Sequence, residues 1–340
     1  MKKGLFLVFA VFLVLYIKAQ EEQTFIDYWD ENETIKQSEG KFKGGLEHGV
    51  WKYYYRSGEL EEERTYQFGR LDGPATTYFY NGRVKKRGYF EWNEKDSLFE
   101  AYYFSGDIKE KGEFDMGNKI GVWKYWYPDS MPHMEEKYSE ANEPLLISYW
   151  DSTGQQLIKD GNGVLKAYYD NGQKKTLETY TEGVMTGHST TWYNDGVKRS
   201  EGNYLNGLKD STWNYFFTGG NLYKTTNFDR DTLHGAYEEY FASGELSIEG
   251  QFHRGAKSGR WVFYREEGHK EMEGNFKKGA REGEWIYWFE DGTVQTEGKW
   301  ENGEEDGEWT FYYPGGELWR KGQYENGKRI GEWLTYFENG

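Results

Sequence analysis

The stretch GKWENGEEDGEWTFYYPGG, residues 298–316, is one complete copy of a pattern that recurs along most of the chain. Its glycines stand at 298, 303, 307 and 316, and its main aromatic positions hold Trp300, Trp309 and Tyr312. The template is Gly-x-aromatic-x-x-Gly-x-x-x-Gly-x-Trp-x-x-Tyr-x-x-x-Gly. One such unit is too small to bury a core alone, so a period of this length indicates an array of stacked units.

The last glycine of the template marks the period, which is 24 residues or a multiple of it, with one shortened interval. It is found at Gly58, Gly82, Gly106, Gly154, Gly172, Gly196, Gly220, Gly244, Gly268, Gly292, Gly316 and Gly340. The pattern defines an array of about thirteen repeats over residues 39–340. An irregular seam is predicted near 130–172, where Ala141 and Leu145 replace loop glycines. Residues 20–38 lie outside the pattern and are predicted to be a lead-in or capping segment.

The composition follows from this template. The 340 residues include 44 Gly and are 19% aromatic, with 15 Trp, 30 Tyr and 21 Phe. Stretches such as Trp51–Tyr55 and Trp285–Phe289 are dense in aromatic residues that favour strands. Glycine interrupts each stretch before a helix of about ten residues could form. Each unit is therefore predicted to be two short strands, and the fold class is all-β.

The connections between strands also have a sequence signature. Asn81-Gly82, Asn171-Gly172 and Asn339-Gly340 are predicted to be two-residue hairpin turns, whose favoured type needs positive φ at both positions. The Gly-x-x-x-Gly segment makes the other connection. Together these turns predict an elongated single-layer antiparallel meander of stacked 24-residue β-hairpins. Its Trp and Tyr ladders would form the core through contacts between neighbouring units.

The first 19 residues have the plan of a secretory signal peptide. Lys2 and Lys3 precede an apolar run from residue 4 to 17, and Ala19 supplies the small residue before a cut. The run is shorter than the ~20 residues that span a membrane. The mature chain is therefore predicted to be exported, and to be periplasmic, on the outer surface or secreted. Loss of Lys2, Lys3 and Lys18 would change the net charge from -16 to -19.

The template is similar to that of a known repeat family. The Gly-x-aromatic-x-x-Gly-x-x-x-Gly part resembles the MORN repeat, and the half from Gly49 through Trp51 to Gly58 resembles the bacterial MORN repeat variant. That variant occurs in exported Bacteroidetes proteins and in proteins named YwqK-type antitoxin components. The resemblance covers roughly residues 39–340. It implies β-hairpin arrays that act by binding, with no catalytic motif to transfer.

The search for chemistry in the sequence finds no catalytic or metal motif. There is no Cys and no His-x-x-x-His pair, so no transition-metal site is predicted. The histidines that precede a loop glycine, His48 and His234, are interpreted as part of the repeat. The acidic loop Glu301–Asp306 lacks the spaced oxygen pattern of a calcium loop. The chain is predicted not to be an enzyme and to need no cofactor.

Three functional hypotheses remain, all based on binding. The first is a non-catalytic repeat scaffold for protein–protein interaction at the cell envelope, and the second is antitoxin-like neutralisation of a basic toxin. The third is carbohydrate binding, for which polysaccharide would stack on an aromatic ladder. The strongly negative charge excludes nucleic acid and anionic membranes as partners. The candidate binding ladder consists of Trp126, Trp150, Trp192, Tyr240, Trp288 and Tyr312.

Overall fold

The computed structural model describes residues 21–139 and 143–339, and all of their regular structure is strand. The chain divides into two compact units, Met1–Asn162 and Gly163–Gly340. The boundary falls within the stretch predicted to be an irregular seam. The predicted signal peptide, residues 1–19, lies outside the described residues. No helix in the described part of the chain is long and apolar enough to cross a membrane.

The first unit is an antiparallel meander in which each strand pairs with the next along the chain. Its strands are β1 (Glu22–Tyr28), β2 (Lys36–Lys43), β3 (Leu46–Tyr54), β4 (Leu60–Gln67), β5 (Arg70–Tyr78), β6 (Val84–Glu91), β7 (Glu94–Tyr102), β8 (Ile108–Asp115), β9 (Asn118–Trp126), β10 (Pro132–Tyr138), β11 (Pro144–Trp150) and β12 (Gln156–Lys159). Strand β1 lies within the predicted lead-in or capping segment and pairs with β2. Pro132 and Pro144 each begin a strand, a position where proline breaks no ladder bond.

The second unit follows the same plan, and its first strand begins one residue before the boundary. Its strands are β13 (Asn162–Tyr168), β14 (Lys174–Thr181), β15 (Val184–Met185), β16 (Gly187–Trp192), β17 (Lys198–Leu205), β18 (Leu208–Phe216), β19 (Leu222–Asp229), β20 (Thr232–Tyr240), β21 (Leu246–His253), β22 (Ala256–Tyr264), β23 (Lys270–Lys277), β24 (Ala280–Trp288), β25 (Val294–Glu301), β26 (Glu304–Tyr312), β27 (Leu318–Glu325) and β28 (Lys328–Thr335). The predicted all-β meander of repeated hairpins is confirmed.

The two kinds of turn are placed differently from the sequence prediction. Gly82 has a φ of 79°, but Asn81 stays outside the left-handed region. The Gly82 amide donates to the carbonyl of Phe79 at 2.8 Å, and the Phe79 amide donates to that of Arg83 at 2.8 Å. This is a three-residue loop in which a type I turn is followed by a glycine bulge. The prediction of a two-residue turn at Asn81-Gly82 was therefore wrong.

The two-residue turns lie instead in the Gly-x-x-x-Gly segments. Asn302 and Gly303 have φ values of 53° and 89°, and the flanking residues Glu301 and Glu304 pair with each other. Two positive φ angles in succession define the hairpin turn that matches the twist of the strands. The final glycine of that segment, such as Gly307 with a φ of 76°, adds a kink one turn further on. The sequence signal for this turn was thus Asn302-Gly303 and its equivalents.

Candidate functional site

One face of each sheet is built on a contact between a glycine and a tryptophan. Gly274 on β23 pairs with Trp285 on β24, and a Cβ atom at position 274 would overlap the indole ring. The Trp285 Nε1 donates to the carbonyl of Asn275 at 3.1 Å. The ring is 0% exposed although each unit is a single layer. The same overlap occurs at Gly40, Gly112, Gly202, Gly250, Gly298 and Gly322. We call this side the Trp face.

Basic side chains cover the tryptophan rings from the solvent side. The Lys119 ammonium lies 4.0 Å from the centre of the Trp123 ring, and Lys257 lies 4.2 Å from that of Trp261. Burial against the rings lowers the pKa of both lysines. Each lysine sits four residues before its tryptophan, which places both side chains on one face of the strand. This cation–π cover explains how a sheet without a second layer buries large rings.

The predicted ladder residues lie on the opposite face, which we call the Tyr face. Trp126, Trp150, Trp192, Tyr240, Trp288 and Tyr312 are all half-buried. They follow the Trp-face position by three residues, and side chains three apart on a strand point to opposite sides. The expectation that both aromatic ladders form one core was therefore wrong. Only the first is a buried core, while the second is partly open to solvent.

Tyrosines on the Tyr face orient a row of carboxylates. The hydroxyl of Tyr240 donates to Glu238 at 2.6 Å, that of Tyr264 to Glu249 at 2.8 Å, and that of Tyr312 to Glu297 at 2.7 Å. Burial, followed by the bond to the carboxylate, raises the pKa of Tyr240 and Tyr264 to about 12. For Tyr312 the bond to Glu297 is the larger cause, and its pKa is also about 12. All three phenols stay protonated donors at neutral pH.

In the first unit, cations neutralise this row. Glu100 accepts hydrogen bonds from Arg87 at 2.6 Å and from Tyr102 at 2.9 Å, and it pairs with Lys111 at 3.0 Å. Its side chain is only 7% exposed. Burial alone would raise the pKa of Glu100, but the bonds from Lys111, Arg87 and Tyr102 outweigh it and leave the pKa lowered. The same unit holds three further Lys–Glu pairs, Lys36–Glu39, Lys52–Glu63 and Lys124–Glu135.

In the second unit, part of the row has no such cation. Glu238 on β20 pairs directly with Glu249 on β21, so two carboxylates stand opposite each other. No Lys, Arg or His side chain forms an ion pair with Glu238, Glu249 or Glu297 in the described chain. The nearby Arg260 is held by Glu273 at 2.7 Å. A groove of about 360 Å³ lies here, lined by Glu238, Glu249, Gln251 and Arg260 among others.

Other sites considered in the sequence have no cluster of ligands around them. In the described chain, no group of three or more His, Asp or Glu side chains is arranged to hold a metal ion. In the acidic loop, Lys299 lies 3.9 Å from both Glu301 and Asp306, so part of its charge is already balanced. Sequence reasoning missed the Glu row of the Tyr face. Its signal was a Glu two residues before the tyrosine, as in Glu238-Glu239-Tyr240, or 15 before it, as in Glu249 and Tyr264.

These features define a class of protein: a β-hairpin repeat array with a buried tryptophan face and a partly open tyrosine face. The sequence profile of the MORN repeat variant matches six segments, residues 47–67, 161–182, 185–206, 233–253, 281–302 and 305–326. The chain is a MORN repeat variant protein, as the resemblance indicated. No curated protein matches it.

Solved structures were also compared with the chain. The crystal structure of TcdB2-TccC3-Cdc42 aligns at 12% identity over 93% of this chain, with a TM-score of 0.18. The Photorhabdus luminescens Tc holotoxin pore with the mutation TccC3-D651A aligns at 11% identity over 87% of this chain, with a TM-score of 0.15. This chain spans only 18% of the length of each of those chains.

Proposed function

We propose that this protein is an exported, non-catalytic scaffold that binds another protein at the cell envelope. We further propose that the Tyr face of the second unit takes a basic segment of that partner. The single observation that carries the proposal is the open pair of carboxylates at Glu238 and Glu249, each oriented by a tyrosine and neither paired with a cation.

The electrostatics of this face favour a lysine or arginine of a partner. Like charges directly opposite on neighbouring strands are destabilising. A cation placed between Glu238 and Glu249 would relieve that repulsion. The Tyr240 and Tyr264 rings beside them offer flat surfaces over which a guanidinium stacks. Tyrosine and tryptophan are also among the residues most enriched in protein interfaces. The groove next to these side chains gives the partner room to approach.

Binding of a basic peptide tests the proposal. The probe is an extended peptide of about 12 residues with alternating Lys or Arg, and its affinity is measured by fluorescence anisotropy at low salt. The test variant carries Glu238→Gln, Glu249→Gln and Glu297→Gln. Since exposed ion pairs are worth ~0.2–1 kcal/mol each, the variant should bind about 3- to 100-fold more weakly.

The matched control removes the same number of charges from the first unit, with Glu39→Gln, Glu63→Gln and Glu135→Gln. Those carboxylates already pair with lysines. The control should therefore bind within about threefold of the wild type. Equal losses in both variants would mean that the peptide senses only net charge, and the proposed docking surface would be rejected.

Export is tested separately from binding. Cell fractionation and the amino-terminal sequence of the mature protein check whether residues 1–19 are removed. Recovery of the intact chain in the cytoplasm would contradict export. In vivo cross-linking, with the charge-neutralised variant beside the wild type, then identifies the partner whose capture depends on the Tyr face.

Polysaccharide binding is a second candidate, favoured by the half-buried indole rings of Trp192 and Trp288 on the Tyr face. Lys174 and Lys270 lie 5.6 Å and 5.4 Å from the centres of these rings, so the rings are already partly covered. Trp192→Leu with Trp288→Leu would abolish binding to an insoluble glycan while leaving basic-peptide binding largely intact. Unchanged glycan retention in that double variant would exclude this candidate.

A further inference from the structure

Two histidines on neighbouring strands of the second unit lie side by side. Gly235 on β20 pairs with Phe252 on β21, so the next residues along the two strands are His234 and His253. Their ring centres are 5.1 Å apart, with an angle of 50° between the ring planes. Both side chains are exposed. In the described residues this is the only contact between two histidine rings.

We propose that His234 and His253 form a two-histidine site for a late first-row transition metal ion such as Zn²⁺, Ni²⁺ or Cu²⁺. Imidazole nitrogen is a preferred ligand of these ions. The inference is independent of the proposed protein-binding function.

The separation of the rings fits one shared tetrahedral ion. A zinc–nitrogen bond of ~2.0–2.1 Å places each ring centre about 3.2 Å from the metal. At a tetrahedral angle, two such rings have centres about 5.2 Å apart. The observed value is 5.1 Å. Because both imidazoles are exposed, their rings are free to turn a nitrogen toward the ion. Two strands hold the pair in place, so little ordering is needed on binding.

The surroundings leave room for further ligands. A cavity of about 490 Å³ adjoins His234 and is also lined by Asp229, Thr232 and Arg254. Asp229 forms an ion pair with Arg230 at 3.3 Å. With two protein nitrogens, the ion keeps two positions for water. The site therefore belongs with weak, open sites that exchange their ligands, and not with closed structural sites of four protein ligands.

Calorimetry on the tag-free full-length protein tests the site, with Cu²⁺ or Zn²⁺ alone as the probe in a non-chelating buffer. One ion per chain should bind, with Cu²⁺ tighter than Zn²⁺ as the usual metal order requires. His234→Gln and His253→Gln should each weaken binding by at least about tenfold, since either leaves a single imidazole. Binding as tight as in the wild type in both variants would overturn the proposal.

His48→Gln is the matched control. His48 holds the same template position as His234, but its strand neighbour is Lys41 and its ring contact is with Phe68. This variant should bind the metal as the wild type does. A second measurement uses the unaltered protein: Zn²⁺ should shift the ring resonances of His234 and His253 together. Equal shifts for all six histidines would show adventitious binding and would also overturn the proposal.

Discussion

Glu100 in the first unit and Glu238 in the second occupy the same template position, yet their surroundings are opposite. Glu100 is surrounded by Arg87, Lys111 and Tyr102, whereas Glu238 has only Tyr240 and faces Glu249. The hairpin forms in both cases, because its strands are held by the ladder and the Trp face. The charge on the Tyr face is thus free to vary without loss of the fold. Differences between repeats at these positions are where function can be written.

The largest expected effect tests the Trp face that both regions share. Gly274→Ala should destabilise the protein by about 3 kcal/mol, because the new Cβ overlaps the Trp285 ring and overpacking costs ~1–3 kcal/mol or more. Gly88→Ala is the control, because there the added atom lies 3.2 Å from a smaller ring, that of Phe99. It should cost about 1 kcal/mol. Urea unfolding followed by circular dichroism measures both. Equal costs would mean that the indole is not what excludes the side chain.

The next prediction concerns the two carboxylates themselves and has opposite signs. Glu100→Gln should destabilise by about 1–2 kcal/mol, because hydrogen bonds to charged groups are lost and two cations keep no partner. Glu238→Gln should be neutral or stabilising by up to about 1 kcal/mol, because it removes repulsion from Glu249. Urea unfolding of both variants gives the comparison. If Glu238→Gln were the more harmful change, the contrast between the regions would be false.

Removing the tyrosine hydroxyls sharpens the same contrast. Tyr240→Phe leaves Glu238 with no printed side-chain donor, and it should cost about 1 kcal/mol. Tyr102→Phe leaves Glu100 with Arg87 and Lys111, and it should cost only about 0.5 kcal/mol. Thermal unfolding of the paired variants measures the difference. The reverse order would show that the cations depend on Tyr102 for their placement.

The smallest expected effect is a dependence on pH. The pKa of Glu100 is lowered in the folded chain, so the unfolded chain binds its proton more readily. Its contribution to stability is present above the unfolded pKa, about 4.5, and is lost as pH falls through the lower folded value. Between about pH 5 and 3, the wild type should therefore lose more stability than Glu100→Gln. Parallel pH curves for the two proteins would contradict the charge assignment.

Much of the fold could be predicted from the sequence because each repeat restates the same local rules. The strands, the period and the buried Trp position followed from aromatic residues between glycines. The turn types could not be predicted from Asn-Gly pairs alone: Asn81-Gly82 and Asn302-Gly303 have the same letters but different φ angles. Which of them becomes a two-residue turn depends on where the strands pair. That pairing involves the whole hairpin and its bulges.

The candidate site was only partly predictable. The ladder residues Trp192 and Tyr240 were identified, but their face was not, because the aromatic period alone does not show which ladder is buried. A lysine four residues before a tryptophan, as in Lys257 and Trp261, carried a readable signal for the covered face. The open carboxylates carried none, since acidic residues occur throughout the chain.

The sequence by itself determined that this protein is an array of hairpins with a tryptophan at one fixed position in most repeats. Glycine spacing and strand propensity are local properties, so they can be read without coordinates. Only the tertiary structure decided which side chains meet. Glu238 and Glu249 are 11 residues apart, and His234 and His253 are 19 apart. Their contact depends on cross-strand register, and a shift of one residue would move each side chain to the opposite face.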